Sequence, residues 1–218
     1  MEQNNTSNKL DLLVGFYVFS IIVAELLGGK TFPIVNVFGY QLNGAIGMFL
    51  IPFVYSINDI VFEVYGIKKA KNLAKLSLLV ISALIIFAAF AVVLPPSTRF
   101  ASQEKAYEQI FSQSIRISLA SLTALIVSNL ADIYVFAKIK KNLSKYGLWL
   151  RNNLSNTLAL LLDTVLFMTL AFYSLDQSIG ANTQFLFGVI VPYWLLKTFM
   201  SVITTPVVYA GVKWLKKN

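Results

Sequence analysis

The chain has 218 residues, 57% of them hydrophobic and only 13% charged, about half the charged share of an ordinary soluble domain. This composition marks an all-α integral membrane protein with too little polar sequence for a separate soluble domain. The net charge is +8 and there is no cysteine or histidine. Disulfides, thiol nucleophiles, the common zinc and iron–sulfur sites and a Ser-His-Asp triad are therefore excluded. An enzyme would have to work with carboxylates, lysine or tyrosine.

Residues 1–9, MEQNNTSNK, read as a polar, disordered cytoplasmic leader. A single six-helix transmembrane domain follows over 10–218. The first apolar helix, 10–27, ends in AELLGGK with no small-x-small cleavage pattern, so it reads as a retained span and not a signal peptide. Helices are then expected over 43–62, 73–94, 115–137, 154–175 and 185–212, each near the roughly 20 residues that cross a bilayer. Pro95-Pro96 closes the third sharply. The last is long enough to tilt, or to be broken by Pro192 and Pro206.

Residues 24–31, AELLGGKT, satisfy a loose phosphate-loop pattern. That mechanism needs a strand before the glycines and a helix N-terminus after them. Here a membrane helix precedes and Phe32-Pro33 follows, so nucleotide binding is not expected.

The basic residues set the orientation. Thirteen of the eighteen Lys and Arg fall at Lys9, around 68–75, in 138–151 and at the C-terminus. The other side holds Lys30, Arg99, Lys105 and Arg116, and Lys197 lies within the last helix. This asymmetry puts both termini in the cytoplasm. The charge reads as topology, and nucleic acid is not an expected partner.

Polar groups inside apolar spans are functional candidates by default. Asp59 and Glu63 are four apart, on one face of helix two. Asn129 and Asp132 share a face of helix four, and Ser121 and Ser128 there read mostly as small-residue packing. Helices two and four end alike, in NDIVFEVYGIKK and ADIYVFAKIKK, which reads as shared membrane-exit chemistry more readily than as a repeat. In the stretch LWLRNNLSNTLALLLDT, Asp163 lies about twelve residues, or about 18 Å, below Arg151, near the middle of a hydrocarbon core of about 30 Å. Lys197 reaches a similar depth in helix six, so the two can meet, as a structural ion pair or as part of a site. Trp149, Trp194 and Trp214 suit interfacial anchoring, and Trp194, one turn from Lys197, could also stack on a planar ligand.

NDIVFEVYGIKKAKNLAK, the closing LPPS of helix three, ADIYVF, GLWLRNNLSN and LLDTVLFMTLAF together resemble the queuosine precursor transporter family over about residues 20–215. The resemblance implies a six-helix, multi-pass protein of the bacterial inner (cytoplasmic) membrane. Such a protein imports 7-cyano-7-deazaguanine, 7-aminomethyl-7-deazaguanine or queuine for tRNA modification. It also implies kinship with vitamin-uptake proteins like the substrate-binding subunits of energy-coupling-factor transporters. By motif match, Asp59, Glu63, Arg116, Asp132, Trp149, Arg151, Asn152, Asp163 and Thr164 occupy the family's polar positions. Glu25 departs from the family, where Asn is usual, and Asn156 stands where Thr is common.

A deazaguanine presents adjacent N–H donors that one carboxylate accepts in a plane. Asp163 or Asp132 would take that edge. Asn129, Asn152, Lys197 or Arg151 would donate to the carbonyl, with Trp194 or Phe167 stacking and Thr164 beside Asp163. Asp59, Glu63, Arg116 and Glu25 are assigned to gating or structural polarity. No cofactor or metal is expected. The expected partners are the bilayer and the deazaguanine, with an energy-coupling ATPase module or a homo-oligomer left open. The alternatives are a binding subunit of an energy-coupling-factor vitamin transporter and an intramembrane enzyme using Asp59 with Asp132 as an aspartyl-type dyad.

Overall fold

A computed structural model describes the backbone of residues 2–142 and 148–216, and the side chains of these except 2–7, 51, 129–156 and 200–205. In chain order the elements are α1 (Glu2–Leu27), β1 (Thr31–Val37), β2 (Tyr40–Ala45), a short 3-10 turn (Ile46–Phe49), α2 (Ile51–Val93), α3 (Glu104–Asn142), α4 (Leu148–Phe172) and α5 (Ile179–Lys216). The protein is a helical membrane protein. Among the described residues, four stretches are long and apolar enough to cross a bilayer: Asn8–Leu27, Ile46–Val93, Glu104–Ser128 and Ile179–Phe199. Thr157–Phe172 is a shorter apolar helix.

Helix α1 already begins at Glu2, within the expected leader. A helix nucleated by its apolar part extends through polar residues at little further cost. The chain then departs from an all-helical plan. Phe38 (φ 49) and Gly39 (φ 85) form a two-residue turn with both φ positive, the geometry that joins tightly paired antiparallel strands. Strands β1 and β2 make a two-stranded sheet. The Asn36 side-chain oxygen accepts the Gly39 N–H at 3.1 Å, and the Gln41 amide donates to the Val35 carbonyl at 3.2 Å. The glycines of AELLGGKT therefore lead into a strand. Helix two starts later than position 43, with Pro52 in its first turn, where proline's missing N–H has no helical partner to lose.

Helix α2 covers both expected spans two and three. Gly66 interrupts it at φ 77, ψ 178, a backbone conformation essentially reserved for glycine. Tyr17 of α1 lies beside Tyr55 on the arm before Gly66 and Ser77 on the arm after it. Each is eleven residues from Gly66, so the two arms double back on each other at that residue. Phe16 meets Phe53 edge-on with centroids 5.4 Å apart. Helix α3 begins earlier than 115, at Glu104, with a ladder of Phe100, Tyr107 and Phe111 along its start. Helix α5 runs through Pro192 and Pro206 without a break, as membrane helices allow when neighbours satisfy the freed carbonyl.

By contacts the chain forms two compact units. The first comprises Met1–Thr31, Ala45–Ser118 and Phe199–Asn218, and the second Phe32–Gly44 and Leu119–Thr198. In the first, Ser114 of α3 donates to the Leu26 carbonyl of α1 at 3.0 Å, and a Cβ on Gly211 of α5 would overlap Ile60 of α2. In the second, the turn between α4 and α5 is tied by one buried side chain. Asn182 accepts the Ser174 N–H at 2.9 Å and donates to the carbonyls of Ser174, Gln177 and Ser178.

Candidate functional site

The second unit brings one polar side chain from each of three helices together. Asp163 comes from α4, in an otherwise apolar run, and Lys197 from α5. Their Oδ2 and Nζ atoms are 2.7 Å apart. The ammonium side chain is 8% exposed and the carboxylate 23%. The other carboxylate oxygen, Oδ1, accepts the Ser128 hydroxyl of α3 at 3.3 Å. Both oxygens thus have a donor, which a desolvated carboxylate requires. The depth argument put Asp163 and Lys197 at one level, and the structure joins them.

Ser128 is the residue that sequence reasoning undervalued. It reads as helix packing, yet its hydroxyl sits on the carboxylate. Its one signal was proximity to Asn129 in a polar patch of helix four. Thr164, next to Asp163, is fully buried and donates to the Leu160 carbonyl one turn back at 2.7 Å. Thr164 therefore packs within its own helix. Trp194, one turn before Lys197, donates its indole N–H to the Thr157 carbonyl of α4 at 3.2 Å. This bond fixes the indole edge and leaves the ring, held between α4 and α5, as a flat apolar surface. Phe167 is half-buried on α4.

The remaining candidates divide. Asp59 and Glu63 are exposed on the α2 arm before Gly66, in the first unit. Glu25, also in the first unit, is buried at 6% exposure in α1, one turn before the Gly28-Gly29 pair that lies against Gln113 and Ile117 of α3. Arg116 is exposed on α3. The side chains of Asn129, Asp132, Trp149, Arg151, Asn152 and Asn156 lie outside the described residues.

A half-buried carboxylate with a buried ammonium beside it offers a flat polar ligand an acceptor and a donor at once. Comparison with known proteins gives this geometry a context. Residues 45–211 match the profile of the family described as "Putative vitamin uptake transporter".

The chain belongs to this family.

Two curated relatives carry a narrower name. The chain is 28% identical over 201 residues to a "Probable queuosine precursor transporter" of Bacillus subtilis, covering 92% of this chain and 83% of that protein. It is 23% identical over 164 residues to a protein of the same name from Haemophilus influenzae, covering 75% of this chain and 66% of the relative. No solved structure matches it. The resemblance read from the motifs is thus the one these relatives bear out. The three-helix cluster at Asp163 lies within the part of the chain that the vitamin uptake transporter profile covers.

Proposed function

We propose that this protein carries a deazaguanine precursor of queuosine inward across the bacterial cytoplasmic membrane, and that the Asp163–Lys197 pair is the polar core of its binding site. The observation that carries this reading is the pair itself: two opposite charges, 2.7 Å apart, each the sole charged residue of its apolar stretch, Thr157–Phe172 and Ile179–Phe199. Removing a charge from water is costly, so such a pair is retained where it serves a function or holds a packing register. In the binding role Asp163 accepts the adjacent N–H donors of the purine-like edge, and Lys197 turns to its carbonyl. Trp194, with its edge tied to Thr157, supplies a stacking face. Asn129, Asp132, Arg151 and Asn152 are the further polar contacts in this reading, and Asp59, Glu63, Arg116 and Glu25 serve gating or helix register. The protein acts as a carrier, without chemical conversion of its cargo.

The accompanying topology has six spans with both termini in the cytoplasm. A stretch of 48 residues, Ile46–Val93, would be about 72 Å long as one helix, more than twice a hydrocarbon core of about 30 Å. The break at Gly66 supports counting it as two spans. Thr157–Phe172 on α4 is the remaining crossing. Lys9 donates to the Trp214 carbonyl at 3.1 Å and lies 5.7 Å over that indole ring. That contact supports a first and a last helix whose ends share one side of the membrane.

The test is uptake of labelled 7-cyano-7-deazaguanine, 7-aminomethyl-7-deazaguanine and queuine by cells that cannot make the base, with queuosine in tRNA as second readout. Expression of the chain should restore both for at least one compound, and Asp163→Asn should abolish the gain. No uptake of any of the three would overturn the reading. Purified protein in vesicles without an ATPase then separates a self-sufficient carrier from a binding subunit.

A further inference from the structure

We infer that the β1–β2 hairpin is a membrane-interface anchor, with Phe38 at its tip seated among lipid and not in water. Three observations carry this. First, Phe38 is 98% exposed although it sits at φ 49, a position where bulky residues are rare and Asn, Asp or Gly are usual. The turn is closed by Asn36 and braced by Gln41, so the strained residue is held with its ring pointing outward. Second, Thr31 through Asn58 contains no charged residue, and Ile34, Val35, Val37 and Tyr40 are exposed on the strands. Strand edges facing water are normally guarded by charge.

Third, the hairpin is continuous with a membrane span. Tyr40 meets Phe187 of α5 edge-on at 6.2 Å between centroids, and both rings are exposed. One residue on, a Cβ at Gly188 would overlap the Gln41 carbonyl oxygen. Glycine there lets the backbone of β2 lie directly on α5. The apolar surface of the span Ile179–Phe199 therefore runs onto the hairpin with no charged residue at the join. Lipid is the occupant that fits an uncharged, aromatic-tipped extension of a lipid-facing surface.

The native chain has no cysteine, which makes site-directed labelling direct. Spin labels on Phe38→Cys, on Phe87→Cys of the exposed α2 surface and on Ser102→Cys of the loop before α3 are compared in lipid vesicles. Collision with oxygen reports lipid, and collision with a water-soluble nickel chelate reports solvent. The label at 38 should collide with oxygen several-fold more, relative to nickel, than the label at 102, and fall toward the value at 87. Nickel access equal to position 102 would overturn the inference by placing the tip in water. Protection from both reagents would overturn it by placing the tip under another protein surface. Val35→Cys repeats the measurement if Phe38→Cys does not fold.

Discussion

Removing one partner of the Asp163–Lys197 pair strands the other charge away from water. Lys197→Met should therefore lower stability by about 3–5 kcal/mol, whereas the double variant with Asp163→Asn should recover most of that loss. Denaturation in detergent checks both. If Lys197→Met unfolds no more readily than the parent, the pair is not desolvated and the cluster loses its energetic basis. If the double variant is stable but takes up no substrate, the pair serves cargo as well as packing. These two residues were legible in the sequence because a charge inside an apolar run stands out by itself. Ser128 was not, because a serine at mid-span can pack or donate. Which it does depends on the rotation of α3 against α4, and tertiary packing sets that rotation. Asn182 was hidden for a related reason, since its four backbone bonds exist only once the chain turns between α4 and α5.

At the scale of elements, the joint at Gly66 is the most exacting feature. Any residue with a Cβ is strained at φ 77, ψ 178, so Gly66→Ala should cost about 1–3 kcal/mol. Gly180→Ala, in the first turn of α5 with nothing within 4 Å of the new Cβ, is the matched control and should be near neutral. Equal unfolding midpoints for the two would mean that α2 does not need its break. The helices themselves were legible from apolar length, because a bilayer demands about 20 such residues and a soluble fold does not. The hairpin was not. Ile34-Val35-Asn36-Val37 is too short to separate strand from helix by periodicity, and it lies between two membrane stretches that draw the eye to helix. The positive φ at Phe38 carries no sequence signal, since phenylalanine is not a turn residue.

For the whole molecule, the excess of Lys and Arg on the proposed cytoplasmic side predicts an orientation that reporters can read. A fusion that is active only in the cytoplasm should work at either end of the chain, and one active only outside should work when inserted at Ser102. Activity of an external reporter at the C-terminus would break the six-span reading. The Asp163–Lys197 pair also has an electrical consequence. A carboxylate and an ammonium held 2.7 Å apart cancel at any distance much beyond their separation. Moving them together through a membrane potential does almost no work, whereas a single charge meets about 2.3 kcal/mol per 100 mV. Voltage therefore acts on this pair only through whatever charge the cargo brings to it.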